Sequence, residues 1–556
     1  MLVHHSGTLA ARLAIIGARP GKDEVRSGIP FSGPSGWLLW QLLPVSRDDC
    51  YVDNVRQDFN EQHPVPTPGE IHDGRLELAA RLARLDANCF LALGAQALYA
   101  LTGKSSIDKY RGSILPCTLP GLEHKKVACA WHPAHIIRGQ YERRYILEAD
   151  LRKAVAQSYF PEIKRRDFQF LLDPTWDAFK QYVDNLGEVV SVDIECPISI
   201  PRVIYSVAVS SDPSSACCLP ITWGSQAPDE LAESVRYLQR EVFERRKVGG
   251  QNIGFDVNKL EELGFRVRHV EFDTMLAHHL LWPEAGTKQK DEFGKDTFAG
   301  GHDLGFLVSV YTDQPYYKDQ YRGRGWSTPE DREIQRWCNC LDSCLTYEIW
   351  QRELEELTEF NQLDYYRENV LSLIRPVLRM QNLGLKVDFS KLTSVQERIG
   401  LETQYLQLVL NQKVGFDLNV KSPPQMRYLI EQVLHLRSAK RTKKGAVSTD
   451  EDALRNLAYG SSEHADIFAD ILSIRERRTL SSGFLQLEVA EDGRYKAPYK
   501  IHGTDSGRLS STSPKNLDGR AGPQLQNIPK STRHLFVAEP GKQFIVRDLS
   551  RAEAMF

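Results

Sequence analysis

The stretch "EVVSVDIECP", Glu188 to Pro197, constrains this chain more than any other. A run this dense in Val and Ile belongs inside a sheet. Side chains two apart on a strand share a face, so Asp193 and Glu195 point the same way. Two unpaired carboxylates there repel each other and resist burial. A hard divalent cation relieves that cost, because Mg²⁺ favours oxygen ligands. For this pair alone the plainer reading is an exposed edge carrying two solvated acids, since charged side chains are mostly exposed.

The rest of the chain limits the choice. Its 556 residues exceed one ordinary core and imply three or four domains of α/β multidomain type. Residues 1–157 alternate apolar runs ("RLAIIG", "CFLALG", "KVACAW") with helical stretches such as "RLELAARLARLDA". Residues 165–355 contain the strand pair "EVVSVDIE" and "VIYSVAVS", and residues 360–556 turn to long amphipathic helices such as "ADIFADILSIRERRTLSSGFL". The 41% hydrophobic and 26% charged content is that of a globular protein, and a net charge of −3 argues neither for nor against nucleic acid. No apolar stretch approaches the ~18 residues of a membrane span. The N-terminus lacks signal-peptide features, and ten scattered cysteines form no CxxC pair. A reducing, cytoplasmic location without a membrane partner is expected.

Two further acidic stretches bear on Asp193 and Glu195. "GGQNIGFDVNKLEELG" puts Asp256 at a helix start, and "WCNCLDSCLTYEIW" puts Asp342 on a helix whose Leu341, Leu345 and Ile349 suit a core. Alone, either acid reads as a cap or a surface charge. In order, DxE, N-x-x-x-D and D-x-x-x-T resemble the three motifs of DnaQ-like 3′–5′ exonucleases over residues 165–355. The resemblance implies a ribonuclease-H-like fold. It also implies two Mg²⁺ ions held by Asp193, Glu195, Asp256 and Asp342, activating a water for phosphodiester hydrolysis. The family's tyrosine four residues before the last aspartate is replaced by Cys338. A thiol is a poorer hydrogen-bonding guide for water.

Downstream, "RSAKRTKKGAVSTDEDALRNLA" holds Arg437, Lys440, Arg441, Lys443 and Lys444 ahead of a helix start at Ser448 to Asp450. Such a run is commonly a solvated loop, and it also suits phosphate contacts. "HGTDSGRLSSTSPKNLDGRAGPQLQNIP" and "RDLSRAEAMF" follow. The succession resembles the mostly helical thumb and partial palm of a family-A DNA polymerase. The resemblance implies that the basic loop and Arg508 meet the template–primer, with Gln526 and Asn527 supporting the strand nearby. It makes Asp548 a ligand of both catalytic Mg²⁺ ions and Glu553 the residue that crowds the sugar 2′ position. Leu549 and Arg551 depart from the usual tyrosine and glutamine. The fingers helix and second palm aspartate do not follow Phe556. Polymerisation with deoxynucleotides is therefore expected to require a missing C-terminal half. Truncation and a second polypeptide carrying the fingers and the rest of the palm both stay open.

The first region, "LAIIGARPGKDEVRSGIPFSGPSGWLLWQLL" through "YVDNVRQ" to "ACAWHPAHIIR", resembles the uracil-DNA glycosylase superfamily, an α/β/α sandwich. The resemblance implies that Phe31 stacks on a flipped uracil, Asn54 reads its polar edge and His132 stabilises the departing base. A core aromatic, a turn asparagine and a packed histidine are the plain alternatives. Ala18 stands where the family carries a glutamate, with Glu24 nearby. Arg56 and Gln57 lie near a missing cluster ligand, so no iron–sulfur cluster is expected. Excision of uracil and recognition without excision both stay open.

Together these readings describe a phage-like replication protein acting on template–primer and single-stranded DNA, in the host cytoplasm if phage-encoded. The alternatives are a stand-alone repair 3′–5′ exonuclease and a non-catalytic DNA-binding scaffold for a partner polymerase.

Overall fold

The computed structural model describes residues 2–197, 202–286, 289–290, 296–297, 301–320, 323–437, 440–442, 445–512 and 522–546. Lys443, Lys444, Asp548 and Glu553 lie outside the described residues. The chain is a mixed α/β multidomain protein that divides into two compact units. One is Met1–Ile374 with Thr504–Arg508, and the other is Arg375–Gly503 with Leu509–Phe556.

The first unit is built on two six-stranded sheets. The first sheet holds β1 (Ser6–Gly7), β2 (Leu13–Gly17), β3 (Cys50–Asn54), β4 (Cys89–Leu93), β5 (Ile114–Pro116) and β6 (Lys126–Ala130) in the order β1-β3-β2-β4-β6-β5. Its four central strands are parallel. They are fully buried, which is why β2 and β4 read as uninterrupted apolar runs, while β3 and β6 bury Asp53, Asn54 and Lys126 as well. The chain winds from β2 to β3 on one side and then to β4 on the other. That order opens a crevice at the carboxyl ends of β2 and β4, where open α/β sheets bind ligands.

The second sheet runs β12-β11-β8-β9-β10-β7. Its strands are β7 (Gln169–Leu171), β8 (Val189–Glu195), β9 (Ser206–Asp212), β10 (Ser215–Pro220), β11 (Lys247–Gly250) and β12 (His269–Asp273). β8 is internal, parallel to β11 and antiparallel to β9, so the Val-rich run does lie inside a sheet.

A continuous apolar core joins the two sheets. It runs from Leu13, Ile15 and Leu91 through Ile146 and Leu151 of helix α1 (Arg144–Ser158) to Leu304, Leu307 and the Leu341 and Leu345 of α2 (Pro329–Glu359). Polar contacts reinforce it. The buried Arg111 Nε donates to Asp150 Oδ2 at 2.8 Å, and its guanidinium also donates to Ser309 Oγ at 2.7 Å. Lys153 Nζ donates to the carbonyls of Gly112, Ser309 and Thr312 at 3.0, 2.9 and 2.7 Å.

The second unit is mostly helical. Helix α3 (Phe389–Val414), α4 (Glu451–Gly460) and α5 (Ala465–Thr479) bury Leu410, Leu454, Phe468, Ile471 and Ile474 together. Asp450 caps α4 by accepting from Ala453 N at 2.9 Å, which sets the helix start the Ser/Thr/Asp run predicts. A short ladder pairs Tyr499–Lys500 with Ser510–Ser511.

Candidate active sites

Asp193 and Glu195 leave β8 on the face covered by α2. There Asn339 Nδ2 donates to Asp193 Oδ2 at 2.5 Å, while its Oδ1 accepts from Ser206 Oγ at 2.9 Å. One turn on, Ser343 Oγ donates to the Ser191 carbonyl at 3.0 Å. These contacts fix the register of α2 on the sheet and bring Asp342 to the same end as the two strand acids. Asp256 arrives from the helix Ile253–Glu262, where its Oδ1 accepts from Ile194 N at 3.1 Å. The close approach depends on Gly250, whose added Cβ would lie 2.8 Å from the Val192 carbonyl oxygen.

These acids act on one another electrostatically. Burial pushes the Asp193 carboxyl well up, and the charges of Asp342 and Glu195 add to it. Glu195 is pushed up to about 8 by burial and then by Asp342. Asp256 is raised by burial and by Asp193. Lys318 lies at the rim, its Nζ 3.7 Å from Asp342 Oδ2. Burial pulls its ammonium down, yet Asp342 and Asp193 carry it above the usual lysine value. Tyr317 is buried and donates its hydroxyl to Asp342 Oδ1. The Cys338 thiol, also buried, is pushed up by burial and by Asp342 and Glu195.

An all-oxygen set of buried, mutually repelling carboxylates suits a hard divalent cation. Among the described residues, no three His, Cys, Asp or Glu side chains converge as a finished metal cage. The carboxylate oxygens are instead held by Asn339, Tyr317, Lys318 and the Ile194 amide. Asn339, Tyr317 and Lys318 escaped the sequence reading. Only Asn339 left a signal, three residues before Asp342 on the same helix face.

A second cluster sits at the carboxyl ends of the first sheet. Asn54 ends β3, and its buried Nδ2 has no hydrogen-bond partner among the described residues. Phe31, held at φ +52°, stacks on His132 with ring centroids 5.7 Å apart. Gly17 makes room for both, since an added Cβ would lie 2.3 Å from Asn54 Oδ1 and 2.8 Å from Phe31 Cζ. His132 Nδ1 accepts from Ala134 N at 3.1 Å, which leaves the ring proton on Nε2. Burial lowers its pKa to about 4, with Arg138 adding to the effect, so the imidazole is neutral at physiological pH. Glu24 is differently placed. Its two oxygens accept from the backbone amides of Gly21 and Phe31, tying down the loop between β2 and the helix Pro34–Leu42. Its carboxyl is raised by burial, an effect those two amides oppose.

In the second unit, Gln526 brackets the "RLSS" strand. It donates from Nε2 to the Leu509 carbonyl and accepts at Oε1 from Ser511 N, both at 2.7 Å. Asn527 Nδ2 donates to Gln524 Oε1 at 2.8 Å. Arg508 is exposed. Lys440 pairs with Asp450 and Asp452 at 3.0 and 2.9 Å, and Arg441 donates to the Gly445 carbonyl at 3.1 Å. Among the described residues no helix is long and apolar enough to cross a membrane.

Comparison with known proteins agrees with both ends of the chain. Residues 390–555 match the model for DNA polymerase family A, and residues 4–156 match that for the uracil DNA glycosylase superfamily. The chain is 26% identical to the DNA polymerase I of Chloroflexus aurantiacus over 393 residues, 65% of this chain and 38% of that protein. It is 36% identical to the type-4 uracil-DNA glycosylase of Thermotoga maritima over 155 residues, 27% of this chain and 78% of that enzyme. The DNA polymerase of Bacillus phage SP01 is 22% identical over 613 residues, 95% of this chain and 64% of the phage protein. The POL domain of Pol1 from M. smegmatis, solved in complex with DNA primer-template and dNTP, shares the fold. The TM-score is 0.50 at 20% identity, over 66% of this chain and 56% of that one. The chain thus spans about half or less of the first bacterial polymerases it matches, 38% and 52% of their lengths. Polymerases of this family are metal-dependent in general. With its N-terminal sheet and its C-terminal helices each matched in order, the chain belongs to the uracil DNA glycosylase superfamily through residues 4–156 and carries a family A DNA polymerase domain at residues 390–555.

Proposed function

We propose that this chain is part of a DNA-replicating polymerase that proofreads through a Mg²⁺-dependent 3′–5′ exonuclease and reads uracil without excising it. The observation that carries the exonuclease is the meeting of Asp193, Glu195, Asp256 and Asp342 from a strand and two helices at one buried site. Asp193, Glu195, Asp256 and Asp342 would hold the ions, which supply charge stabilisation and an activated water when bound. The residues themselves orient the site: Asn339 fixes Asp193, the Ile194 amide fixes Asp256, and Tyr317 fixes Asp342.

Polymerisation on a template–primer is proposed from the family relationship, with Asp548 as metal ligand, Glu553 beside the sugar, Arg508 on the primer and a further segment or polypeptide supplying the fingers. Gln526 acts there by bracing the strand next to Arg508. For the N-terminal domain, the unpaired Asn54 Nδ2 and the Phe31–His132 stack suit a flipped uracil. The reading without excision is favoured by the state of the two carboxylate positions. Ala18 has no carboxylate, and both Glu24 oxygens are engaged by backbone amides.

Single-turnover degradation of a 3′-mismatched primer with Mg²⁺ tests the exonuclease. Loss of degradation in Asp193→Ala/Glu195→Ala is expected, and unchanged degradation would overturn the assignment. One observation favours a second reading, a non-catalytic scaffold: the Lys318 ammonium already lies against Asp342. Failure of Mn²⁺ to bind the full chain would favour it.

A further inference from the structure

We propose that Tyr317 is the phenol that holds the attacking water in the exonuclease site, and that the glycosylase-like domain holds Tyr317 in place. The inference rests on the exonuclease reading above. On α2, the residue one turn before Asp342 is Cys338, whose buried thiol lies beside the acids but is a weak donor and acceptor. The phenol that position 338 lacks comes from outside the helix. Tyr317 is 2% exposed, yet its hydroxyl reaches Asp342 Oδ1. A phenol has one proton, and here Asp342 takes it, so the lone pairs on the same oxygen can accept from a water among the carboxylates. The next residue, Lys318, approaches the other Asp342 oxygen at 3.7 Å, so consecutive side chains of one segment grip both carboxylate oxygens.

That segment does not belong to the exonuclease sheet, and its anchors are in the N-terminal domain. Tyr316 N donates to Ser113 Oγ at 3.1 Å, and the Tyr316 ring meets Tyr110 edge-on at 5.8 Å. Tyr110 Oη donates to Asp319 Oδ2 at 2.8 Å, and Lys109 pairs with the other oxygen of Asp319. Lys153 Nζ holds the Thr312 carbonyl at 2.7 Å where the segment begins. Tyr317 is therefore flanked on both sides by contacts to residues 109–153. The glycosylase-like domain serves as a wall of the exonuclease site, independently of whether its own pocket binds uracil.

In the step proposed, the water oxygen bonds to phosphorus as the bond to the neighbouring 3′ oxygen breaks. The water's proton passes through the carboxylates to solvent, and the released 3′ oxygen takes one from solvent. The products are a nucleoside 5′-monophosphate and a strand shorter by one nucleotide. Tyr317 is neither consumed nor ionised in this step.

The test uses the full chain, single-turnover cleavage of a single-stranded oligonucleotide with Mg²⁺, and Mn²⁺ binding followed by electron paramagnetic resonance. Tyr317→Phe is expected to slow cleavage about 10- to 100-fold while Mn²⁺ affinity and the thermal midpoint stay at wild-type values. Loss of all three together would mark a merely structural tyrosine and overturn the proposal. Tyr110→Phe and Asp319→Asn, which cut the anchorage away from the acids, are expected to slow cleavage in the same direction with Mn²⁺ binding kept. Unchanged rates in both would overturn the buttressing part. Full cleavage by Tyr317→Phe would overturn the tyrosine and leave the exonuclease reading standing. A wild-type chain that binds Mn²⁺ but never cleaves would overturn both.

Discussion

Asn339 Nδ2 donates to the Asp193 carboxylate at 2.5 Å, and through this bond the long helix α2 sets the orientation of an acid on a strand it meets only in the tertiary structure. The amide is satisfied at both ends, since its Oδ1 accepts from Ser206 Oγ and its Nδ2 also reaches the Asp193 carbonyl at 3.2 Å. Asn339→Leu strands both partners in a buried site. It is expected to lower unfolding free energy by about 1–3 kcal/mol and to slow exonucleolytic cleavage. Urea denaturation and single-turnover cleavage measured on the same preparation check it.

The acid cluster gives stability a defined pH dependence. Glu195 is raised to about 8 from 4.5, so between those values the folded chain binds more protons than the unfolded one. Its contribution is fully present below about pH 4.5 and is lost as pH rises through 8. In EDTA, Glu195→Gln is expected to gain thermal stability relative to wild type as pH rises from 5 to 9. Mg²⁺ is expected to raise the wild-type midpoint at pH 8 and to leave that of the Asp193→Asn/Asp342→Asn variant unchanged.

His132 has the opposite sign. Its folded pKa, about 4, lies below the ordinary 6.5, so its contribution is present above pH 6.5 and is lost as pH falls through 4. The shift corresponds to about 3 kcal/mol. His132→Gln is expected to flatten the fall in thermal midpoint between pH 6.5 and 4.

Ala18 and Glu24 make uracil handling testable. The full chain is expected to bind uracil-containing single-stranded DNA in preference to the thymine equivalent, without releasing the base. Asn54→Ala should abolish the preference. Ala18→Glu restores a carboxylate where the glycosylase family carries one and is expected to release uracil, detected as an alkali-labile abasic site.

The basic run in the second unit should divide into engaged and available charges. Lys440 is neutralised by Asp450 and Asp452, whereas Arg437 is exposed. Arg437→Ala is expected to reduce the salt slope of duplex binding by about 0.9, and Lys440→Ala by much less. Fluorescence anisotropy across a salt series reads both slopes.

Much of this was legible in the chain alone because it rests on local patterns. Dense Val and Ile around Asp193 point to an internal strand, and alternation puts Glu195 on the same face whatever else surrounds it. The Ser/Thr/Asp cap at Asp450 and the apolar spacing of Leu341, Leu345 and Ile349 likewise carry their meaning within a few residues. Other features depend on partners far away in sequence, and no period or motif encodes them. Glu24 reads as a candidate catalytic acid until the fold closes the loop onto it through the amides of Gly21 and Phe31. Tyr317 reads as one aromatic among several until Asp342, 25 residues on, meets its hydroxyl. The sequence determined which strands and helices form and which faces they bury, because those follow from side-chain spacing. Only the tertiary structure decided which polar atoms find partners and that one core joins the two sheets, because a buried hydrogen bond or apolar contact forms between whichever groups the fold brings together.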